Sequence, residues 1–308
     1  MKVIITDQVH PELLNLLVEN GISYEIDLKK DETELLKNII DFDGMIVRNR
    51  IKIDKYFLSN SKNLKFIARY GSGMESIDLK TAEQFNIKCF NSAQGNANSV
   101  AEHITGMLLS LFHNISKSNN NLKKLIWERE QYRGIELENK KIGIIGYGNT
   151  GKSFTEKLKG FNCSIMVYDK YKNGFGNSII KESTMIDILA QADILSLHIP
   201  LNSETEYFIN DSIIDNMKNP FYLINSSRGK IVSNNSLVKG LKSKKILGAC
   251  LDVLENENPE FSNIKTDDNL NYLLNCNNVL ITPHIAGLSA ESNLKLSKIL
   301  IEKILKLK

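Results

Sequence analysis

Lys141-Ile142-Gly143-Ile144-Ile145-Gly146-Tyr147-Gly148-Asn149-Thr150-Gly151 reads as a strand, a tight turn and the opening of a helix. The apolar run predicts a strand, and Phe154 and Leu158 continue at helical spacing. A lone GxGxxG is a weak signal, but one set between a strand and a helix has a mechanism. Its glycines let the backbone turn sharply and approach a pyrophosphate. The helix start then offers free N–H groups and a positive dipole end. The next strand, Ser164 to Tyr168, ends at Asp169, 18 residues past Gly151. An acid there accepts the ribose hydroxyls and repels a 2′-phosphate, which favours NAD over NADP. Lys170 and Lys172 follow directly and leave room for some NADP tolerance.

Outward from this turn, apolar β-branched runs alternate with helix-period segments. Strands are expected at 2–6, 22–26, 44–48, 65–68 and 87–90, then at 141–145, 164–168, 194–197, 221–225, 246–251 and 279–282. Helices are expected at 10–20, 31–39, 54–59, 76–86, 98–117, 150–159, 184–190, 210–217, 234–242 and 289–307. Such alternation predicts parallel sheets covered by helices on both faces, and the continuously apolar strands agree. Two sheets fit the count, so an α/β chain of two doubly wound domains is expected. The long helix near Asn98 separates residues 1–98 from a larger domain, 99–286. The last helix starts after Gly287, and Leu294, Leu296, Ile299, Leu300 and Ile304 give it a stripe that must dock on a core. Residues 114–124 read as a helix end or surface loop, and 254–278 as an insertion-like loop.

Composition narrows the class. At 308 residues the chain is too long for one compact core, and 42% hydrophobic with 24% charged residues is ordinary for a globular protein. A net charge of +3 gives no reason to expect nucleic acid or a membrane surface. No run approaches the ~18 apolar residues that span a bilayer. Val3-Ile4-Ile5 is closed at once by Asp7, as in a strand and not a signal peptide. Cys89, Cys163, Cys250 and Cys276 form no CxxC pair and no Cys/His cluster. They read as free thiols in a reducing cytoplasm, with no metal site.

Hydride transfer from a hydroxy acid needs a cation for the carboxylate, a base for the hydroxyl proton and a group that orients the base. In an open α/β sheet these belong just past strand C-termini. Arg228 follows Phe221 to Asn225 and precedes Gly229; its guanidinium can grip a carboxylate bidentately. Glu257 lies five residues past Asp252, in an acidic loop with Glu255 and Glu260. His284 follows Val279 to Pro283, and histidine is the side chain suited to proton exchange near neutrality. Singly, each could be a surface residue; their shared place after consecutive strands makes a set. His10, His103 and His113 read as structural, and His198, before Ile199-Pro200, is a weaker candidate.

These motifs, in this order, resemble one family closely: the D-isomer-specific 2-hydroxyacid dehydrogenases. Arg69-Tyr70-Gly71-Ser72-Gly73 through Asp78 resembles its substrate loop, and Asn98-Ser99-Val100-Ala101-Glu102 its hinge and long-helix start. The GxGxxG turn of Gly146, Tyr147, Gly148, Asn149, Thr150 and Gly151, with Asp169, resembles its cofactor fingerprint. His198, Pro200 and Thr205 resemble its adenine-side loop. Asn225-Ser226-Ser227-Arg228-Gly229, Leu251 through Glu257 and Thr282 through Gly287 resemble its catalytic blocks.

The resemblance implies a Rossmann-type NAD domain of 99–286 beside a smaller, flavodoxin-like substrate domain of 1–98 and 287–308. It implies that Arg228 binds the carboxylate and keto oxygen, that His284 is the acid/base and that Glu257 is its partner. Backbone N–H groups at Ser72 and Gly73 would hold the carboxylate, and Asp252 would orient the nicotinamide amide. Val100, Ser226, Ser227, Arg228, His284 and Gly287 would also line the cofactor. Family members are usually dimers that associate through the cofactor domain, and a cytoplasmic short form without a regulatory domain is expected. One departure is that the family places Pro directly after the catalytic Glu, whereas here Asn258 precedes Pro259, which makes Glu255 the fallback.

Arg48 and Arg50, with Arg69 nearby, read either as a phosphate site or as one structural and one solvated arginine, and Arg48-Asn49-Arg50 resembles the R-x-R pattern of D-3-phosphoglycerate dehydrogenases. The leading expectation is therefore 3-phosphoglycerate and entry into serine biosynthesis. Glyoxylate or hydroxypyruvate reduction is the alternative, and an NAD-sensing co-repressor-like binding protein stands as a different class.

Overall fold

The computed structural model describes residues 1–258 and 263–307. Pro259 and Glu260 lie outside the described residues. The chain divides into two compact units, Met1–Ala97 with Leu288–Lys308, and Asn98–Gly287.

In the first unit, β1 (Lys2–Ile5), β2 (Ser23–Ile26), β3 (Gly44–Val47), β4 (Phe66–Arg69) and β5 (Lys88–Asn91) form a wholly parallel sheet in the order β2-β1-β3-β4-β5. That is the flavodoxin-like order. Alternate strand residues serve two cores, as the period of two demands. Val3, Ile5, Ile46, Phe66 and Ala68 pack with α1 (Pro11–Glu19) and α12 (Ala290–Leu305). Ile4, Met45, Val47 and Ile67 pack toward α2 (Glu32–Leu36), α3 (Lys55–Ser59) and α4 (Leu79–Gln84). Leu296, Leu300, Ile301 and Ile304 are the buried stripe of α12. Ser289 caps this helix by accepting from the Ser292 N–H.

The second unit opens on α5 (Ala97–Phe112) and α6 (Ile115–Leu122). Its strands are β6 (Lys141–Ile145), β7 (Ser164–Tyr168), β8 (Ile180–Glu182), β9 (Ile194–Leu197), β10 (Phe221–Asn225), β11 (Ile246–Leu251) and β12 (Val279–Ile281). All are parallel, in the order β12-β11-β10-β9-β6-β7-β8. Helices α7 (Asn149–Leu158), α8 (Met185–Gln191), α9 (Asp211–Asn216), α10 (Asn234–Lys242) and α11 (Asp268–Asn275) complete it. The strand order reverses between β6 and β9. This is the switch point where open α/β sheets bind ligands.

Three elements differ from expectation. The helix expected at 98–117 is two helices, because Asn114 takes a left-handed φ of 53° and ends the run. In the segment expected to be loop, Asp267 caps α11 by accepting the Leu270 N–H at 2.7 Å, and Leu270 and Leu273 bury on the core. β8 has no strand pattern in the sequence, because only Ile180 of its three residues is buried.

Candidate active site

The first cluster surrounds the C-terminal end of β6. Gly146 has φ +96°, and a Cβ there would lie 2.4 Å from the His198 carbonyl oxygen. A Cβ on Gly151 would lie 2.1 Å from the Gly146 oxygen, so turn and helix press together. Gly148 is the opposite case: a Cβ there meets nothing within 4 Å. It caps α7 with no side-chain bond, so no cap side chain takes up the first N–H groups of that helix. Asp169, at the end of β7, accepts the Tyr147 N–H at 2.7 Å and the Tyr171 N–H at 2.9 Å. Those bonds fix the carboxylate and leave acceptor capacity for sugar hydroxyls.

The neighbours of this turn have separate duties. His198 is 7% exposed, its ring nitrogens facing Ser196 Oγ at 2.9 Å and Thr150 Oγ1 at 3.3 Å. Burial pushes its pKa down to about 3, so the ring is neutral and braces the glycine turn from below. Thr205 donates its hydroxyl to the Pro200 oxygen at 2.6 Å, tightening the loop after β9. Ser227 Oγ donates to the Leu197 oxygen at 2.6 Å. Ser226 Oγ is buried and meets no hydrogen-bond partner among the described residues. Val100 is buried on α5. The phosphate cradle, the held acid and the orphaned hydroxyl together fit a dinucleotide.

The second cluster sits at the ends of β10, β11 and β12. Buried Asn225 folds the turn after β10: its Nδ2 donates to the Arg228 oxygen at 3.0 Å, and its Oδ1 accepts the Ser227 N–H at 3.1 Å. Arg228 Nη1 donates to the Ser227 oxygen at 2.6 Å. A Cβ on Gly229 would lie 1.9 Å from the Leu254 oxygen, so this turn rests directly on the loop after β11. From that loop Glu257 Oε2 meets His284 Nδ1 at 2.8 Å, with the side chains 17% and 22% exposed. Glu257 Oε1 accepts the Leu254 N–H. Glu255 points elsewhere, accepting the Tyr207 hydroxyl at 2.9 Å and the Asn234 N–H at 2.8 Å.

His284 is held in the left-handed region at φ 54°. Such a backbone persists only where its surroundings over-determine it. Here the restraint is Asp252, 1% exposed. Its Oδ1 accepts the Thr282 hydroxyl at 2.6 Å and the Ile285 N–H at 2.9 Å; Oδ2 accepts the Ala286 N–H at 2.9 Å. Its backbone oxygen accepts the His284 N–H at 2.8 Å. His103 Nε2 lies 3.0 Å from Thr282 Oγ1, and Ser99 donates to the Ala286 oxygen at 2.7 Å. Asp252 thus lashes the 282–286 loop, a duty separate from the nicotinamide contact implied for it. In the sequence Asn225 and Thr282 stand only as members of their motifs, with no role of their own, because polar residues at strand ends are common and carry no periodic signal.

In the first unit, Ser72 Oγ donates to Asn96 Oδ1 at 2.8 Å, and Asn91 Nδ2 donates to the Ser72 oxygen at 2.6 Å. The loop through Gly73 is therefore pinned at Ser72. Arg50 is committed to the backbone: Nε donates to the Thr6 oxygen at 2.7 Å, Nη2 to Asp27 at 2.8 Å, and Nη1 to the Lys30 oxygen. Arg69 is 6% exposed and donates to the Tyr70 oxygen at 2.6 Å and to Asn49 Oδ1 at 2.5 Å. The Arg48 guanidinium lies 5.8 Å from the centre of the Tyr70 ring.

Residues 105–286 match the family model described as D-isomer specific 2-hydroxyacid dehydrogenase, NAD binding domain. A D-3-phosphoglycerate dehydrogenase of Archaeoglobus fulgidus is 31% identical over 99% of this chain, which spans only 56% of that relative. A hydroxypyruvate reductase of Thermotoga maritima is 34% identical over 99% of this chain and 97% of its own length. Among solved structures, an acyclic imino acid reductase in complex with NADPH and D-Arg superposes with a TM-score of 0.87 at 26% identity, over 100% of this chain and 97% of the other. The chain belongs to the D-isomer specific 2-hydroxyacid dehydrogenase family. Among the described residues no helix is long and apolar enough to cross a membrane.

Proposed function

We propose that this chain interconverts a D-2-hydroxy acid and its 2-keto acid with NAD as cofactor. The observation that carries the reading is the 2.8 Å contact of Glu257 Oε2 with His284 Nδ1, on loops that follow adjacent strands beside the Arg228 turn. A carboxylate only accepts, so Nδ1 carries the proton, and Nε2 is the nitrogen that exchanges one with substrate. In oxidation Nε2 takes the hydroxyl proton; in reduction it returns one to the carbonyl oxygen. Glu257 holds the tautomer and stabilises the imidazolium. Arg228 grips the substrate carboxylate, as a planar two-pronged donor suits. The residues around Gly146–Gly151, Asp169 and Ser226 would hold NAD, which when bound supplies or accepts the hydride.

The leading substrate is 3-phosphoglycerate with its keto partner, supported by the Archaeoglobus relative's name and by Arg48. Hydroxypyruvate reduction is the second reading. It is favoured by Arg50, whose guanidinium is spent on three backbone carbonyls, and by the Thermotoga relative's name. We further propose a cytoplasmic homodimer formed through the second unit. Leu122, Leu125 and Trp127 there are 47%, 91% and 74% exposed, an apolar face that suits a second copy. All four cysteines are free thiols, as a reducing compartment allows.

The test is to follow NADH absorbance with 3-phosphohydroxypyruvate, hydroxypyruvate, glyoxylate and pyruvate. Turnover of at least one supports the reading, and the ratio of the first two kcat/KM values ranks the substrates. Turnover of none, with NADH still bound, would replace the enzyme by a co-repressor-like binding protein.

A further inference from the structure

β7 and β9 are the two neighbours of β6, so the loops that follow them flank the glycine turn. They meet through three side chains. Lys170 Nζ, from the β7 side, lies 2.6 Å from Glu204 Oε2, from the β9 side. The Tyr171 hydroxyl donates to the same oxygen at 2.9 Å, while the Tyr171 N–H donates to Asp169. Glu204 is fixed from behind by an Asx turn, in which Asn202 Oδ1 accepts the Glu204 N–H at 2.9 Å and the Thr205 N–H at 3.1 Å. Lys170 and the Tyr171 hydroxyl hold the Glu204 carboxyl below its usual range, and Glu204 holds the Lys170 ammonium above its own. Lys172 is also committed, donating to the Tyr147 oxygen at 2.7 Å within the glycine turn.

Both cations that follow Asp169 therefore have partners other than a ligand. The Lys170–Glu204 pair is half exposed, 55% and 54%, and exposed pairs contribute little to folding. Its larger consequence falls on a charged ligand. A phosphate on the ribose 2′-oxygen would meet two carboxylates, Asp169 and Glu204, and an ammonium already neutralised. Rejection built from unfavourable charge is a general route to specificity.

Resting on the dinucleotide reading above, we propose that Glu204 is a cofactor-specificity residue: it withholds Lys170 from a 2′-phosphate and so disfavours NADP. Isothermal titration calorimetry of NADH and NADPH on the full chain tests this without turnover. Glu204→Gln should tighten NADPH roughly 5- to 20-fold and leave NADH within about twofold, since a freed ammonium gains a charge-assisted bond to phosphate. The gain should vanish in Glu204→Gln with Lys170→Ala, and shrink as salt rises from about 0.05 to about 0.5 M. Lys170→Ala alone should leave the weak NADPH binding unchanged, because the lysine is already engaged. Unchanged NADPH affinity in Glu204→Gln, with NADH bound normally, overturns the proposal. A gain that survives Lys170→Ala overturns it equally. Absence of NADH binding by the unmodified chain is a different failure: it removes the dinucleotide site itself, and this proposal with it.

Discussion

At the end of β9 a histidine is sealed in the protein, and at the end of β12 another stands half open; both belong to one parallel sheet. The ring nitrogens of His198 face two hydroxyls, those of Ser196 and Thr150, its ring packs on Phe154, and burial lowers its pKa to about 3. It is a neutral strut under the glycine turn. His284 sits in a left-handed backbone, 22% exposed at the side chain, with a carboxylate on Nδ1. Both follow a strand end, His198 directly after Leu197 and His284 three residues after Ile281. What differs is burial and the charge of the partner on Nδ1, a hydroxyl for His198 and a carboxylate for His284, and those decide whether an imidazole can move a proton.

The contrast can be broken most decisively at His284. His284→Asn should lower kcat by roughly 10²–10⁴ with NADH affinity held within about threefold. Near-normal turnover would move the acid/base elsewhere. Glu257→Gln should cost less, roughly 10- to 10³-fold in kcat, because it spoils the tautomer and the charge but keeps the ring. An unaltered rate would mean that the 2.8 Å contact only packs. His198→Gln should do the reverse: kcat at saturating cofactor within about threefold, but stability down by about 1–3 kcal/mol in urea unfolding, since Ser196 and Thr150 lose a buried partner. A large loss of kcat there would erase the distinction between the two rings.

The smallest effect sharpens it further. The His198 pKa falls from 6.5 to about 3 on folding. Between those values the unfolded chain binds a proton that the native ring refuses. This contribution is therefore complete above pH 6.5 and is lost as pH falls toward 3, by at most about 1.4 kcal/mol per pH unit. The stability curves of the wild type and His198→Gln should converge between about pH 7 and pH 5. Parallel curves would show that the native ring accepts the proton.

Legibility in the sequence followed burial. β3 and β4 are buried at every position and read clearly as strands. β8 did not, because an edge strand with one inward residue has no pattern to show. α11 was hidden by asparagine and aspartate, although its cap and its two buried leucines are ordinary helix signals. Within the site, strand ends could be located, but contacts could not. Glu255 and Glu257 are chemically alike and two residues apart; only the fold of their loop sends one to Tyr207 and the other to His284. The sequence places Lys170 and Lys172 after Asp169, but only the fold shows that Glu204 and the Tyr147 oxygen engage them.

The sequence alone determined the alternation of strand and helix, the parallel class of both sheets and the glycine turn after β6. These follow from local rules: the period of apolar residues, and the backbone that a residue without a Cβ can adopt. Tertiary structure alone decided the partnerships: Glu257 with His284, Asp252 with the loop beneath it, Arg50 with three carbonyls, Glu204 with Lys170. A hydrogen bond requires placement to within a few tenths of an ångström. Residues tens of positions apart reach that placement only after the strands between them are in register.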